Sequence, residues 1–388
     1  MMRGPARLLS VLAFAAAAQV AAAGDRFLPA DPAFVVANIK QVIPDAQLRP
    51  LVDAWRADPA AESSAVALAQ ALLERARSLR EPSYVGRAEA VLAPVVSRNA
   101  AAEARRLYAE TLQYRHDFAA AELLLDEVLH AGPRDVAART QRASIRLVRG
   151  DFAGARSDCA QLLVGRGGDA AIGSACLSEA YAGSGQLVQA QALLASLTMN
   201  PDPSQAPTTA YLFTVRAELR ERANDLPGAI ADYRVALELA PRDDSIRASL
   251  ADALAAQGDS PAAARLLDIE RPSLALLVRH ALVAQGTQRA ELAQRAADWL
   301  ALETARGDAV HNREAAMLAL GAGNANAALV AARANFTVQK ELPDVRVLAR
   351  AAVAAHDAAA QEQLRDWLRR TGFRDAVAES VLSVTPRS

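Results

Sequence analysis

The sequence predicts an all-α protein, a right-handed α-solenoid of about nine antiparallel helix pairs. Three observations predict it. A six-residue block recurs along the chain at an almost fixed spacing. Each copy holds the residue types that close one helix and open the next. The composition, 52% hydrophobic but only 4% aromatic over 388 residues, suits helices that pack closely. Alanine supplies most of that apolar count, and it has the highest intrinsic helix propensity of any residue. A chain this apolar buries a core and does not stay disordered.

Residues 1–23 read as a secretory signal. Arg3 and Arg7 form a charged start, Leu8 to Ala18 is a short apolar run, and Ala21-Ala22-Ala23 before Gly24-Asp25 is a small-residue cleavage site. The pattern predicts cleavage after Ala23 and a mature chain in the periplasm or secreted. The apolar run is shorter than the ~20 residues a bilayer span needs. No Cys follows the signal to carry a lipid, and no later stretch is apolar enough to cross a membrane. Losing Arg3 and Arg7 moves the formal net charge from -1 to -3. A chain so near neutrality has no electrostatic footprint for nucleic acid or for an anionic membrane surface.

Residues 24–60, rich in Pro, read as an N-terminal cap segment, and the repeats proper run over 61–272. The recurring block is His116-Asp117-Phe118-Ala119-Ala120-Ala121, then Gly150-Asp151-Phe152-Ala153-Gly154-Ala155, 34 residues on. It returns as Gly185-Gln186-Leu187-Val188-Gln189-Ala190, as Asn224-Asp225-Leu226-Pro227-Gly228-Ala229 and as Gly258-Asp259-Ser260-Pro261-Ala262-Ala263. Gly or Asn ends the first helix in a left-handed conformation, and the Asp caps the second. Pro227 and Pro261 fall in the first turn, where a missing N–H costs nothing. The final Ala is where the second helix presses on the first. Pro133 and Pro241 stop two of the second helices, and a longer loop with Asn200-Pro201-Asp202-Pro203 and Pro207 absorbs the one wide spacing.

Upstream, Val66 to Leu79 and Tyr84 to Val96 form one more pair, with Ala88 in the place of Ala121. Downstream, over 273–372, Leu274 to Gln285 with Ala290 to Ala305, His311 to Leu320 with Ala325 to Gln339, and Val345 to Ala355 with Ala358 to Arg370 read as degenerate pairs. Residues 373–388 read as a loose C-terminal tail. A repeat cannot bury its apolar face alone, so the pairs share one continuous core.

This pattern resembles the tetratricopeptide-repeat (TPR) family. A small residue eight positions into the first helix is matched by Ala109, Ala143, Ser178, Ala217 and Ala251, while Arg142 and Arg216 stand where the family has a large apolar residue. Glu81-Pro82-Ser83-Tyr84-Val85-Gly86-Arg87-Ala88, Arg306-Gly307-Asp308-Ala309-Val310-His311-Asn312-Arg313-Glu314 and Asp366-Trp367-Leu368-Arg369-Arg370-Thr371-Gly372 are similar to stretches of uncharacterised exported TPR proteins of proteobacteria. The resemblance implies a fold and a compartment, and no activity.

Signals for chemistry are sparse. Gly165-Arg166-Gly167-Gly168 is Gly-rich but joins two helices and lacks the Lys of a phosphate loop. Gly183-Ser184-Gly185 has neither the strand nor the five-residue frame of a nucleophile elbow. His116, His130, His280, His311 and His356 show no metal-ligand spacing, so no metal and no cofactor is expected. Asn335-Phe336-Thr337 matches a glycosylation sequon in mid-helix and reads as accidental. His311-Asn312-Arg313-Glu314 is the most polar start of any helix here; it reads as a solvated first turn or as a pair, His311 and Arg313, turned to a ligand.

The expectation is therefore a non-enzymatic periplasmic scaffold or adaptor that binds a protein or peptide partner on its concave face, the wall of first helices. The repeat places Arg106, Glu110, Gln113, Thr140, Ser144, Glu179, Tyr211, Thr214, Glu218, Glu221 and Asp252 on that wall. Acids prevail there, so the partner segment is expected to be basic or polar. The alternatives are a structural component of an envelope export or polysaccharide assembly, and an enzyme with its site in residues 273–320. Cys159 and Cys176, the only two cysteines, lie at nearly equal heights on helices that run antiparallel across a short loop. A disulfide between them is expected if the side chains face, and two separate buried thiols if they do not.

Overall fold

The structure is a computed structural model that describes residues 46–79, 81, 83–98, 100–164, 170–195, 206–306 and 311–383. The signal segment, residues 24–45 of the cap segment, the Gly165–Gly168 loop and the loop around Asn200–Pro203 lie outside the described residues. Every regular element among those described is a helix. After α1 (Arg49–Ala57) come nine pairs: α2 (Glu62–Leu79) with α3 (Ser83–Val96), α4 (Ala102–Tyr114) with α5 (Phe118–Ala131), α6 (Val136–Arg149) with α7 (Phe152–Val164), α8 (Ala170–Gly183) with α9 (Leu187–Ala195), and α10 (Ala206–Arg222) with α11 (Leu226–Leu239). Then follow α12 (Asp244–Ala256) with α13 (Ser260–Leu267), α14 (Leu274–Val283) with α15 (Gly286–Arg306), α16 (Asn312–Gly321) with α17 (Ala325–Val338), and α18 (Leu342–Ala354) with α19 (Ala358–Thr371). α20 (Ala376–Ser383) ends the series.

The turn chemistry explains these boundaries. His116, Gly150, Gly185, Asn224 and Gly258 all have positive φ, the left-handed conformation that lets the chain double back. Asp117, Asp151, Asp225 and Asp259 each accept a backbone N–H three residues on, at 3.2, 2.9, 3.0 and 3.0 Å. The degenerate pairs use the same device, since Asn324 caps α17 and Asp357 caps α19. Behind each cap Ala121, Ala155, Ala190, Ala229 and Ala263 are fully buried against the first helix. Ser178 can replace Ala at the facing position because its hydroxyl donates to the carbonyls of Ser174 and Ala190, at 2.9 and 3.0 Å.

Arg142 and Arg216, which break the apolar pattern, are answered from the second helix. Asp158 on α7 is buried and accepts from Arg139, Arg142 and Arg146 of α6. Asp232 on α11 accepts from Arg216 at 2.7 Å and pairs with Arg220 at 3.0 Å. In both repeats the acid lies 16 residues beyond the first of the two shared arginines and 12 beyond the second. Guanidiniums thus replace apolar knobs without leaving a buried charge unpaired.

First helices stack on first helices, α2 on α4, α4 on α6, α6 on α8 and α8 on α10, and again α12 on α14, α14 on α16 and α16 on α18. The C-terminal end then meets the middle of the chain. The Lys340 N–H donates to the Val148 carbonyl at 2.7 Å. Phe152 at the start of α7 packs among Trp367 and Phe373, with ring centroids 6.4 and 6.1 Å away. Gly185 abuts the Gly372 carbonyl so closely that a Cβ there collides with it. Arg346 of α18 bridges Glu221 of α10 at 2.9 Å and Asp375 at 2.8 Å.

Two expectations change here. Residues 373–383, expected to belong to a loose tail, are packed: Phe373 and Asp375 are buried, Asp375 caps α20, and Ala378 and Leu382 join the core of the last pairs. The anchors of this segment are contacts with distant residues, which leave no local mark in its sequence. The open concave groove is interrupted as well, since the segments around Lys340–Pro343 and Phe373 stand opposite α6, α8 and α10.

Candidate functional site

A chamber of about 620 Å³ remains inside that closure, lined by first helices from α6 through α18. Of the residues assigned to the wall, Thr140, Ser144, Glu179, Tyr211, Thr214 and Glu218 line it, and so does Arg313. Periodicity brings them together: α6, α8 and α10 each turn the same register positions inward.

The others serve elsewhere. Glu221, placed on the wall by register, is buried, accepts the Tyr233 hydroxyl at 2.8 Å and pairs with Arg346. Asp252 accepts from Arg279 at 2.9 Å, and Glu110 accepts from Arg77 at 2.5 Å. Arg106 and Gln113 on α4 do not line the chamber. His311 Nδ1 lies 2.9 Å from Glu303, and its ring meets that of His116 at 5.9 Å. Arg313 is a fork between Asp344 and Glu341, at 2.5 Å each, so its charge is met within the protein. Arg279 and Glu314, also from residues 273–320, line the same chamber and lie 3.7 Å apart. Asn335 of the sequon is buried and donates to Asp344 at 2.6 Å, which withdraws it from any modifying enzyme. Cys159 and Cys176 form a disulfide, with Cα atoms 5.5 Å apart, that ties α7 to α8.

Sequence reasoning missed Arg222, Lys340, Glu341 and Phe373, which complete the chamber. For Lys340 a weak signal exists, since it is one of only two lysines in the chain. For Phe373 the signal is the left-handed Gly372 before it, which turns the chain inward after α19. Nothing local marks Arg222.

The electrostatics single out the Glu179 and Glu218 carboxyls, on adjacent helices. Both side chains are only partly covered, but the space they see is the chamber. Tyr211 donates its hydroxyl to Glu179. Burial raises the Glu179 carboxyl well above the usual carboxylate range, and burial together with the nearby Glu179 charge raises that of Glu218. The same burial raises the Tyr211 phenol and lowers Arg222. Arg222 lies over the Phe373 ring at 4.2 Å and donates to the Arg374 carbonyl. Chemically the site is a partly open cavity with a mixed apolar and charged lining, in which the Glu179 and Glu218 carboxyls stand near each other and Arg222 lies within electrostatic reach of both.

No family model matches the sequence, and no curated protein matches it. Solved structures do. The Cut9–Hcn1 hetero-tetramer of APC/C is 14% identical over 83% of this chain and 62% of that one, with a TM-score of 0.51. TTC0263, a TPR protein of Thermus thermophilus, is 21% identical over 51% of this chain and 98% of that one, with a TM-score of 0.36. A TPR protein of Parabacteroides merdae is 12% identical over 78% of this chain and 98% of that one, with a TM-score of 0.38. Such identities speak to the fold alone. Stacked antiparallel pairs, capped and closed as described, make the chain an α-helical repeat solenoid. More narrowly, its fold is that of the tetratricopeptide repeat.

Proposed function

We propose that the chain is an exported, periplasmic scaffold that binds a protein partner through its inner face. One observation carries this reading. Ser144, Glu218 and the acceptor sides of Thr140 and Thr214 face the chamber without being consumed by the fold, whereas charged residues such as Asp158 and Asp232 are spent on ion pairs between helices. Export is supported by the pattern of residues 1–23 and by the Cys159–Cys176 bond, which suits an oxidising compartment. Among the described residues no helix is long and apolar enough to cross a membrane. Repeat folds commonly use such an inner wall for partners, and this wall is non-enzymatic in our reading.

The test is affinity capture from a periplasmic fraction with the mature chain and with Thr214→Trp, which fills the inner wall. The reading expects a protein retained by the wild type and lost with the variant. Retention of the same proteins by both, or of none by either, overturns it.

A further inference from the structure

We infer that the chamber is a receptor for a single organic cation, an ammonium or guanidinium group on an aliphatic stem, seated between Glu179 and Glu218. The inference deepens the inner-face reading and rests on it. Glu179 projects from α8 and Glu218 from α10, and these two helices pack directly. Tyr211 occupies one oxygen of Glu179, and Glu218 has neither a hydrogen bond nor an ion pair among the described residues.

The cations around the chamber are engaged elsewhere. Arg222 lies on Phe373 and bonds the Arg374 carbonyl, so it tempers the pair from a distance without pairing either carboxyl. Arg279 is held by Asp252 and Glu314, and Arg313 by Asp344 and Glu341. Lys340 turns its ammonium to the Phe336 ring at 5.7 Å and to the Thr337 carbonyl. The remaining acids strengthen the imbalance: Glu341 raises both carboxyls, and Glu221 raises Glu218. With both glutamates ionised, the chamber is one positive charge short.

Shape argues for an organic cation. The volume falls within the roughly 300–1,000 Å³ typical of small-molecule pockets. Ile172, Leu342 and Phe373 offer apolar wall to a stem of methylenes, while the carboxyls take its charged head. Among the described residues no three His, Cys, Asp or Glu side chains are grouped to hold a metal ion, so the carboxyl pair lacks the further ligands an inorganic ion takes. A cation entering between two carboxyls whose acidity is weakened by burial draws them into the ionised form. Binding near neutral pH therefore releases protons, and affinity rises with pH.

Two sources share this chemistry, a free alkylamine or alkylguanidine and an Arg or Lys side chain presented by a partner. Titration calorimetry of the mature protein with butylguanidine, and separately with a Gly-Gly-Arg-Gly peptide, distinguishes them. Saturable binding of butylguanidine assigns the free source; saturable binding of the peptide alone assigns the side chain; either supports the inference. From pH 6 to pH 8.5 affinity is expected to rise by about tenfold if only one carboxyl ionises on binding, and by about a hundredfold or more if both do, with proton release read from the dependence of the heat on buffer ionisation at pH 7. Glu218→Gln and Glu179→Gln, which remove repulsion and leave the fold at least as stable, are each expected to weaken binding about tenfold or more. No saturable binding of either probe at pH 8.5, or binding unmoved by Glu218→Gln, overturns it. The failure is separable from that of the scaffold reading. A partner captured equally by wild type and Glu218→Gln, with no butylguanidine or peptide bound, leaves the scaffold standing and removes the cation site.

Discussion

The third repeat and the wall of the fourth and fifth hold the same kinds of residue and settle their charges in opposite ways. On α6 and α7, Asp158 gathers three guanidiniums at 2.6 to 3.1 Å, and the acid is almost wholly buried. On α8 and α10, Glu179 and Glu218 share a space whose cations, Arg222, Arg279, Arg313 and Lys340, make their own contacts elsewhere, and the two carboxyls repel each other. The first arrangement is complete in itself and can only hold the fold. The second is unfinished, and an unfinished electrostatic environment is what a ligand completes. An acid on the inward register of a repeat therefore says little about function until its counter-charges are located.

The comparison breaks first at Asp158. Removing it as Asp158→Ala takes away the one acid that three partly buried arginines share. Arg142 is left with Asp126, Arg146 with Glu122, and Arg139, among the described residues, with only the Pro133 carbonyl. Loss of one partner from such a network costs about 3–5 kcal/mol. Equilibrium denaturation of the mature protein is expected to show that loss. A change below about 1 kcal/mol means that the arginines find water instead.

Next is the disulfide, which joins the two regions by linking α7 to α8. Reduction, or Cys159→Ser with Cys176→Ser, is expected to lower stability by about 3 kcal/mol for a loop of 17 residues. The same loss is expected in both cases by thermal melting, and an unchanged melting curve on reduction contradicts a structural role.

A smaller effect tests the closure over the wall. Arg346→Met removes the tie between Glu221 and Asp375, at a cost of about 2–3 kcal/mol, because two buried carboxylates lose their cation. Hydrogen exchange is expected to rise in α20 and the start of α18 while α6 and α7 stay protected. A uniform rise along the chain points instead to general destabilisation.

The smallest effect sharpens the contrast. Glu179 and Glu218 have carboxyls raised to about 7 and about 8, above the unfolded value. Between roughly pH 4.5 and pH 8 the unfolded chain ionises them more readily than the folded one, so the protein loses stability as pH rises through that window. Glu218→Gln removes much of that penalty. It is expected to be about 1–2 kcal/mol more stable than the wild type at pH 8.5 and nearly equal to it at pH 4.5. An equal difference at both pH values shows that the effect is one of packing.

What the sequence determined by itself was whatever depends on near neighbours. A cap needs a residue three positions away, a left-handed turn needs Gly, Asn or a strained His, and a close helix pair needs Ala121 against Ala109; each is written within one period. The nine pairs and the paired heights of Cys159 and Cys176 follow from that local code. Even the Arg142–Asp158 and Arg216–Asp232 pairs are written there, as a shared offset of 16 residues. What only the tertiary structure decided was closure: the meeting of Gly185 with Gly372, the ordering of residues 373–383, and the sorting of Glu218 into the chamber and Glu221 into the core. The physical reason is that a solenoid's curvature is a sum of small rotations from one pair to the next. No single repeat encodes that sum, so residues as far apart in the chain as Glu221 and Arg346 find one another only once the whole stack has wound.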